Sequence, residues 1–504
     1  ADPANPASRG QVLLVRGAAA GSVEGLDRWA YDGTPLPVSV DEMATAQITT
    51  RDIDRGDSPH FLLKEIGAAP ASFRKTLRGK LVDGPDGLTV RLADDVLPPD
   101  VRAGLADGTV KRIVAIGQGT AAVAARSLVE ALAAFAGGSP LRVEALLATE
   151  LSGFLLADSM DDTLVVAVSQ SGTTTDTNRT VDLVRARGGH VVAIVNRRNS
   201  DLTDRADGVL YTSDGRDVEM SVASTKAFYS QIAACFFLAA AIAEAAGMVA
   251  AERAQLLEGL RRLPAALERT FALRPDIAQA AQRLAPPRRY WAIVGNGANR
   301  IAAEEVRIKL SELCYKAIAC DGTEDKKHID LSSEPLILVC AAGLQGSTAD
   351  DVAKEVAIYR AHKAAPIVIA TEGEERYGAA LHVVAVPAVE PRLAFVLSAM
   401  VGHLFGYEAA LAIDAQAMPL REARSAIDCA VADGGHDDGE ALLAALRPDL
   451  QTFATKYFDG LRAGDYDGHL EASTAVRLAS LWRYAVGISP LESYQVEYGK
   501  VGTP

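Results

Sequence analysis

The sequence predicts an α/β protein: two tandem doubly wound parallel sheets followed by a helical C-terminal extension. Three observations carry this. Runs such as "RIVAIGQG", "TLVVAVS", "HVVAIVN" and "PLILVCAAG" are continuous Val/Ile/Ala stretches rather than alternations, the mark of parallel strands covered on both faces. They alternate with longer helical stretches, as in βαβ units. The order strand, Gly-rich turn, helix that starts at Arg112 recurs at Tyr290, so the unit is repeated.

Taken in order, residues 1–57 hold short β-like pieces, "QVLLVRG" and "AQITTRDI", too few for a domain alone. "HFLLKEIGAAPASFRKTLRGK" (His60 to Lys80) is a lead-in helix to a first domain at 58–275. That domain runs through the strand "RIVAIGQG", the helix "AAVAARSLVEALAAF", three further strands ("TLVVAVS", "HVVAIVN", "GVLYTS") and the closing helix "TKAFYSQIAACFFLAAAIAEA". The second domain, 276–428, repeats the plan from Pro286-Pro287 and also shows four strands, ending in "HVVAVPAV" and the helix "RLAFVLSAMVGHLFGYEAALA". Residues 429–504 pass through "GGHDDGE" into helical patterns such as "STAVRLASLWRYAVG", with Ser473 as the expected cap.

Composition narrows the function. At 504 residues the chain exceeds one core, and 23% charged with 49% hydrophobic residues is ordinary for a globular protein. A net charge of −14 argues against nucleic acid as a partner, yet allows an anion where local donors converge. No apolar run reaches about 18 residues. The longest candidate, "CFFLAAAIAEAAGMVAA", contains Glu244 and reads as a buried helix, so no membrane partner is expected. The start lacks the pattern of a secretory leader, and "ADPANPASRG" reads as a flexible end or a cloning remnant. Five scattered cysteines without metal-like spacing fit a cytoplasmic location.

The stretch "VVAVSQSGTTTDT" (Val165 to Thr177) turns an apolar strand directly into hydroxyls: Ser169, Ser171, Thr173, Thr174, Thr175 and Thr177 around Gly172. Ligands of doubly wound sheets sit beyond the carboxyl ends of strands, where the next helix offers free N–H groups. The stretch therefore reads either as a lysine-free phosphate cradle or as a helix cap with a solvated turn. It lacks the pattern of a P-loop and of the dinucleotide fingerprint. Glu305, Lys309 and Glu312 fall at i, i+4 and i+7 on one helix face, which reads either as an exposed salt-bridged stripe or as an acid–base face.

"SQSGTTTDT" together with "VEMSVASTKAF" (Val218 to Phe228), the lead-in helix and "EEVRIKLSELCY" resembles the isomerase half of glucosamine-6-phosphate synthase, also called glutamine–fructose-6-phosphate aminotransferase. The resemblance covers roughly residues 50 to 428. It implies tandem sugar isomerase (SIS, flavodoxin-like) domains and a phosphosugar ligand, fructose 6-phosphate or glucosamine 6-phosphate. By it Ser169, Gln170, Ser171 and Thr174 bind the phosphate, Thr120 lines the site and Ser224 helps hold the sugar. Glu312 moves a proton between C1 and C2, with Lys309 at the reacting end. His328, in "EDKKHIDL", resembles the histidine that opens the sugar ring from a neighbouring subunit, which implies a homodimer or larger assembly. No metal or organic cofactor is implied.

The chain departs from that family at three places. A Ser of the first Gly loop is Ala121, the Gly-Pro after the ring-opening His is Ile329-Asp330, and the Lys of the catalytic tail is matched by Arg424 in "EARSAID". An Arg stays protonated and forms no imine under ordinary conditions. No Cys precedes Cys235, so a Cys-led glutaminase is absent and nitrogen would come from a glutaminase domain or an ammonia source elsewhere. Residues 1–57 resemble only the end of that half. The alternatives to synthase-type chemistry are another phosphosugar isomerase or deaminase of this fold, and a non-catalytic phosphosugar-binding regulator.

Overall fold

A computed structural model describes residues 11–42, 53–84, 87–136, 141–248, 253–434 and 438–499. The opening residues 1–10, most of "AQITTRDI" (46–52), part of "GGHDDGE" (435–437) and the closing 500–504 lie outside the described residues. Residues 1–53 and 54–504 form separate units. The first contains an antiparallel hairpin, Gln11–Val15 paired with Leu26–Ala30.

The second unit opens with helix α1 (Phe61–Leu77), which buries Leu62, Leu63, Ile66 and Phe73. A parallel sheet follows, built from β1 (Arg112–Gly117), β2 (Arg142–Leu147), β3 (Thr163–Ser169), β4 (His190–Val195) and β5 (Gly208–Tyr211). Its strand order is β2-β1-β3-β4-β5. Every residue of β3 is buried, as its unbroken Val/Ala run requires. Helices α2 (Thr120–Ala136), α3 (Thr175–Arg185) and α4 (Lys226–Ala245) flank it.

The second sheet has β6 (Trp291–Gly295), β7 (Ala319–Asp321), β8 (Leu336–Cys340), β9 (Ala365–Thr371) and β10 (His382–Val386), ordered β7-β6-β8-β9-β10. Helices α5 (Asn299–Cys314), α6 (Thr323–His328), α7 (Gly346–Ala361) and α8 (Ala394–Gln416) accompany it. Both sheets are fully parallel and share one order, so the predicted tandem doubly wound class holds. This is the flavodoxin-like order, whose switch point lies between the first and third strands.

Each sheet has five strands where the sequence suggested four. The two extra strands, β2 and β7, lie at sheet edges. β2 carries Arg142 and Glu144 and is nowhere fully buried, and β7 is only Ala-Cys-Asp, so neither shows an apolar run. Helix α4 and the Pro391–Gln416 segment are long and apolar enough to cross a membrane, but 94% and 78% of those windows are buried inside the protein. They are core helices, packed on α2 and α5 respectively.

From Met418 the chain folds as α9 (Met418–Asp433), which runs through the expected limit at 428/429, then α10 (Gly439–Ala463), α11 (Ala472–Ala485) and α12 (Leu491–Tyr498). These helices share a separate core of Ala423, Leu443, Leu450, Ala454, Tyr457, Tyr466 and Trp482. Ser473 is not the cap of α11: Glu471 holds that position and Ser473 lies within the first turn. Asp438 does cap α10, accepting from Ala441 N at 2.8 Å. The extension is stapled to the second sheet by Lys316, whose Nζ donates to the carbonyls of Arg288, Arg289 and Gly468 at 3.1, 3.0 and 2.9 Å.

Candidate functional site

At the end of β3 the chain makes a tight polar turn. Ser169 Oγ accepts from Gly172 N at 3.0 Å, and Ser171 Oγ accepts from Thr173 N at 3.2 Å and Thr173 Oγ1 at 2.9 Å. Gly172 has φ +66°, and a Cβ there would run into Ser200 Oγ, so only glycine fits. Thr174 occupies the N-cap of α3 without a side-chain capping bond. The hydroxyl run therefore does not serve as the cap. Gln170 Oε1 and Ser200 Oγ are buried without a hydrogen-bond partner. Ser200 was not singled out in the sequence; it lies 28 positions beyond the glycine it contacts and follows an ordinary Arg-Arg-Asn turn.

The second sheet supplies an internal control for this turn. From the end of β8 the residues Cys340-Ala341-Ala342-Gly343-Leu344-Gln345 lead to α7, with Gly343 at φ +77° and Gln345 at the N-cap. Position for position they match Ser169-Gln170-Ser171-Gly172-Thr173-Thr174 before α3. The same turn thus forms with almost no hydroxyls. Ser169 has a counterpart there, since Gly343 N donates to Thr371 Oγ1 at 2.9 Å as Gly172 N does to Ser169 Oγ, but Ser171 and Thr174 have none, and the turn forms without them.

The helices diverge in the opposite sense. Gly117-Gln118-Gly119 before α2 matches Gly295-Asn296-Gly297 before α5, both with φ +55° at the last glycine. In that register Ser127, Ala131 and Ala134 of α2 correspond to Glu305, Lys309 and Glu312 of α5. One half holds the hydroxyl turn and the other the charged helix face.

That face is not an exposed stripe. Glu305 is fully buried and Lys309 2% exposed, while Glu312 is 46% exposed. Lys309 Nζ lies 2.8 Å from Glu312 Oε2 and 3.9 Å from Glu305 Oε1. Thr120 Oγ1, at the start of α2, reaches Glu305 Oε1 at 3.4 Å. So Thr120, Lys309 and Glu312 are brought together across the two halves. Glu305 Oε1 also meets His403 Nε2 at 3.2 Å, and His403 Nδ1 meets Tyr229 OH at 2.8 Å. Burial holds the His403 imidazole below its ordinary range, against the pull of Glu305, and burial with the Glu305 charge keeps the Tyr229 phenol protonated. His403 stands alone in the apolar run "LSAMVGHLFGY", a signal the sequence offered.

Ser224 is held by a residue the sequence reading missed. Glu219 accepts from Ser224 Oγ at 2.6 Å, Thr225 N at 2.8 Å and Ala227 N at 3.1 Å, so it caps α4 from outside the helix. Burial pushes the Glu219 carboxyl up, and Glu65 adds to this, while its three donors oppose. Helix α1 fixes the same segment: Glu65 Oε1 accepts from Met220 N at 2.5 Å and Thr76 Oγ1 from Ser213 N at 2.9 Å. Ser72 of α1 also donates to Asp217.

His328 ends α6 with its side chain 69% exposed, 3.7 Å from Glu324. Arg424, matched to the family's tail lysine, lies within α9, 83% exposed and 3.5 Å from Asp428.

The SIS domain family matches residues 109–241. A glutamine–fructose-6-phosphate aminotransferase [isomerizing] of Thermus thermophilus is 31% identical over 397 residues, 77% of this chain and 61% of that protein. The Symbiobacterium thermophilum counterpart is 33% identical over 329 residues, 64% of this chain and 51% of that protein. The chain thus spans between half and two thirds of the length of these relatives. The solved C-terminal domain of glucosamine-fructose-6-phosphate aminotransferase from Francisella tularensis has 22% identity and a TM-score of 0.62, covering 72% of this chain and 98% of that one. Residues 109–241 thus match the SIS domain family, and the two tandem sheets have the fold of the C-terminal domain of a glucosamine-fructose-6-phosphate aminotransferase.

Proposed function

We propose that this chain is a phosphosugar-binding isomerase unit of the synthase type, acting on fructose 6-phosphate and ammonia to give glucosamine 6-phosphate and water. The observation that carries it is the pair of matched turns. Ser169-Gln170-Ser171-Gly172 and Cys340-Ala341-Ala342-Gly343 reach the same helix start, but only the first presents hydroxyls. Ser169, Gln170, Ser171 and Thr174 hold the phosphate at the free N–H groups of α3, Thr120 lines the site and Ser224 holds the sugar. The ketose carbonyl becomes an imine with loss of water. Glu312 then takes a proton from C1 and returns it to C2 as the O1 hydroxyl proton passes to the nitrogen, giving the C1 aldehyde and C2 amine, while Lys309 stabilises the charge that develops. His328, exposed on α6, opens the sugar ring in the site of a neighbouring subunit, so the active form is at least a dimer. Ammonia comes from a glutaminase domain or another source. The domain limits are 58–275, 276–428 and 429–504 after an N-terminal segment to 57, and the location is cytoplasmic, in keeping with five free thiols.

A panel of hexose phosphates in a thermal-shift assay tests this reading. Ligand at a hundredfold excess over Kd adds about 2.7 kcal/mol to stability, so fructose 6-phosphate raises Tm whereas fructose does not. Equal shifts with and without the phosphate would remove the proposal. Arg424 on an exposed helix face favours a second reading, a phosphosugar-binding regulator without turnover. Binding of fructose 6-phosphate with no product from ammonia selects it.

A further inference from the structure

We propose that Tyr229 and His403 are positioning residues that satisfy Glu305 and so leave Lys309 committed to Glu312. The inference rests on the acid–base reading of Glu312 above and adds two residues to it.

The hydrogen bonds run one way. The Tyr229 phenol has one proton, and His403 Nδ1 at 2.8 Å is its acceptor. A neutral imidazole that accepts at Nδ1 carries its proton on Nε2, which donates to Glu305 Oε1 at 3.2 Å. The reverse polarity would aim the Nε2 lone pair at a carboxylate oxygen and leave the phenol proton unused. Thr120 adds a longer contact to the same oxygen, at 3.4 Å. The groups facing His403 are thus Tyr229 and Phe228 from α4, and Glu305, with Lys309 beyond it, from α5.

Lys309 lies between two carboxylates. It is 3.9 Å from the buried Glu305 and 2.8 Å from the half-exposed Glu312. A buried carboxylate short of donors draws the nearest cation strongly, because water cannot compensate it. Glu305 Oε2 is already without a partner. The imidazole N–H on Oε1 lowers that demand, and the ammonium rests on Glu312. Remove the imidazole and Lys309 moves toward Glu305. Glu312 then loses its cation.

The test compares His403→Leu, His403→Gln and Tyr229→Phe in the full chain. Crystal structures of the variants give the distances of Lys309 Nζ from Glu305 and Glu312, beside kcat and KM for fructose 6-phosphate. His403→Leu is expected to bring Lys309 Nζ within hydrogen-bond reach of Glu305 and away from Glu312, and to cut kcat about tenfold with KM within about twofold. His403→Gln, whose amide both accepts from Tyr229 and donates to Glu305, restores both. Tyr229→Phe, which keeps the ring and the packing, shifts both in the same direction by less, and decides the matter if His403→Leu does not fold. An unmoved Lys309 in folded His403→Leu or Tyr229→Phe overturns the proposal, as does a Gln variant no better than Leu. If the parent chain converts no phosphosugar, the acid–base reading fails while the place of Lys309 still decides the positioning.

Discussion

Lys309 Nζ lies 2.8 Å from Glu312 Oε2, and the lysine is 2% exposed while the glutamate is 46% exposed. A buried cation thus addresses a carboxylate that solvent, or a ligand, can still reach. Glu312→Gln keeps the shape and gives up the proposed proton-transfer group. It is expected to leave phosphosugar affinity within about twofold and to abolish isomerisation, read by calorimetry beside a turnover assay. Lys309→Met behaves differently. It strands Glu305 in the interior and is expected to destabilise the fold by about 3–5 kcal/mol in urea unfolding.

The hydroxyl turn gives a paired prediction. Ser171→Ala should weaken fructose 6-phosphate binding by about tenfold and barely move Tm, because the matched turn at Ala342 folds without a hydroxyl. Gly172→Ala should do the reverse first. At φ +66° and against Ser200, it should cost about 1–3 kcal/mol of stability. Equal binding by Ser171→Ala and the parent would detach the hydroxyls from the ligand.

His403 sets a pH dependence. Burial lowers its folded-state pKa below the ordinary 6.5, so on acidification the unfolded chain takes up the proton first. Its contribution to stability is fully present above 6.5 and is lost as pH falls toward the lowered value. Tm measured across that window should fall more steeply for the parent than for His403→Gln, which cannot titrate. Superimposable curves would contradict the assignment.

Lys316 joins the second sheet to the extension through three carbonyls, one of them Gly468. Lys316→Met removes all three donations at once and should unclasp the junction, with the 464–471 segment becoming the earliest site of limited proteolysis. An unchanged cleavage pattern would mean that the Arg289–Glu471 pair alone holds the junction.

The tandem sheets were legible because their central strands are buried on both faces, so β3 and β8 read as unbroken apolar runs. Edge strands β2 and β7 were not, since half-exposed positions carry charge or are too short to show a pattern. The residues Thr120, Lys309 and Glu312 could be named from motifs, but their convergence could not, because it depends on α2 and α5 meeting across 185 positions of sequence. Glu219 escaped notice because its role is to cap a helix that starts seven residues later. His403 was visible as a lone imidazole in an apolar helix, yet without its partners a buried histidine carries no assignment.

The turn after β3 is proposed to receive the phosphate of a sugar. Calorimetric titration of the parent chain with fructose 6-phosphate, repeated with Ser169→Ala/Ser171→Ala, tests it most directly. Saturable one-site binding by the parent is expected, none with fructose, and at least a tenfold loss, about 1.4 kcal/mol, in the double variant. Binding of equal strength to the parent and to a folded double variant would contradict it.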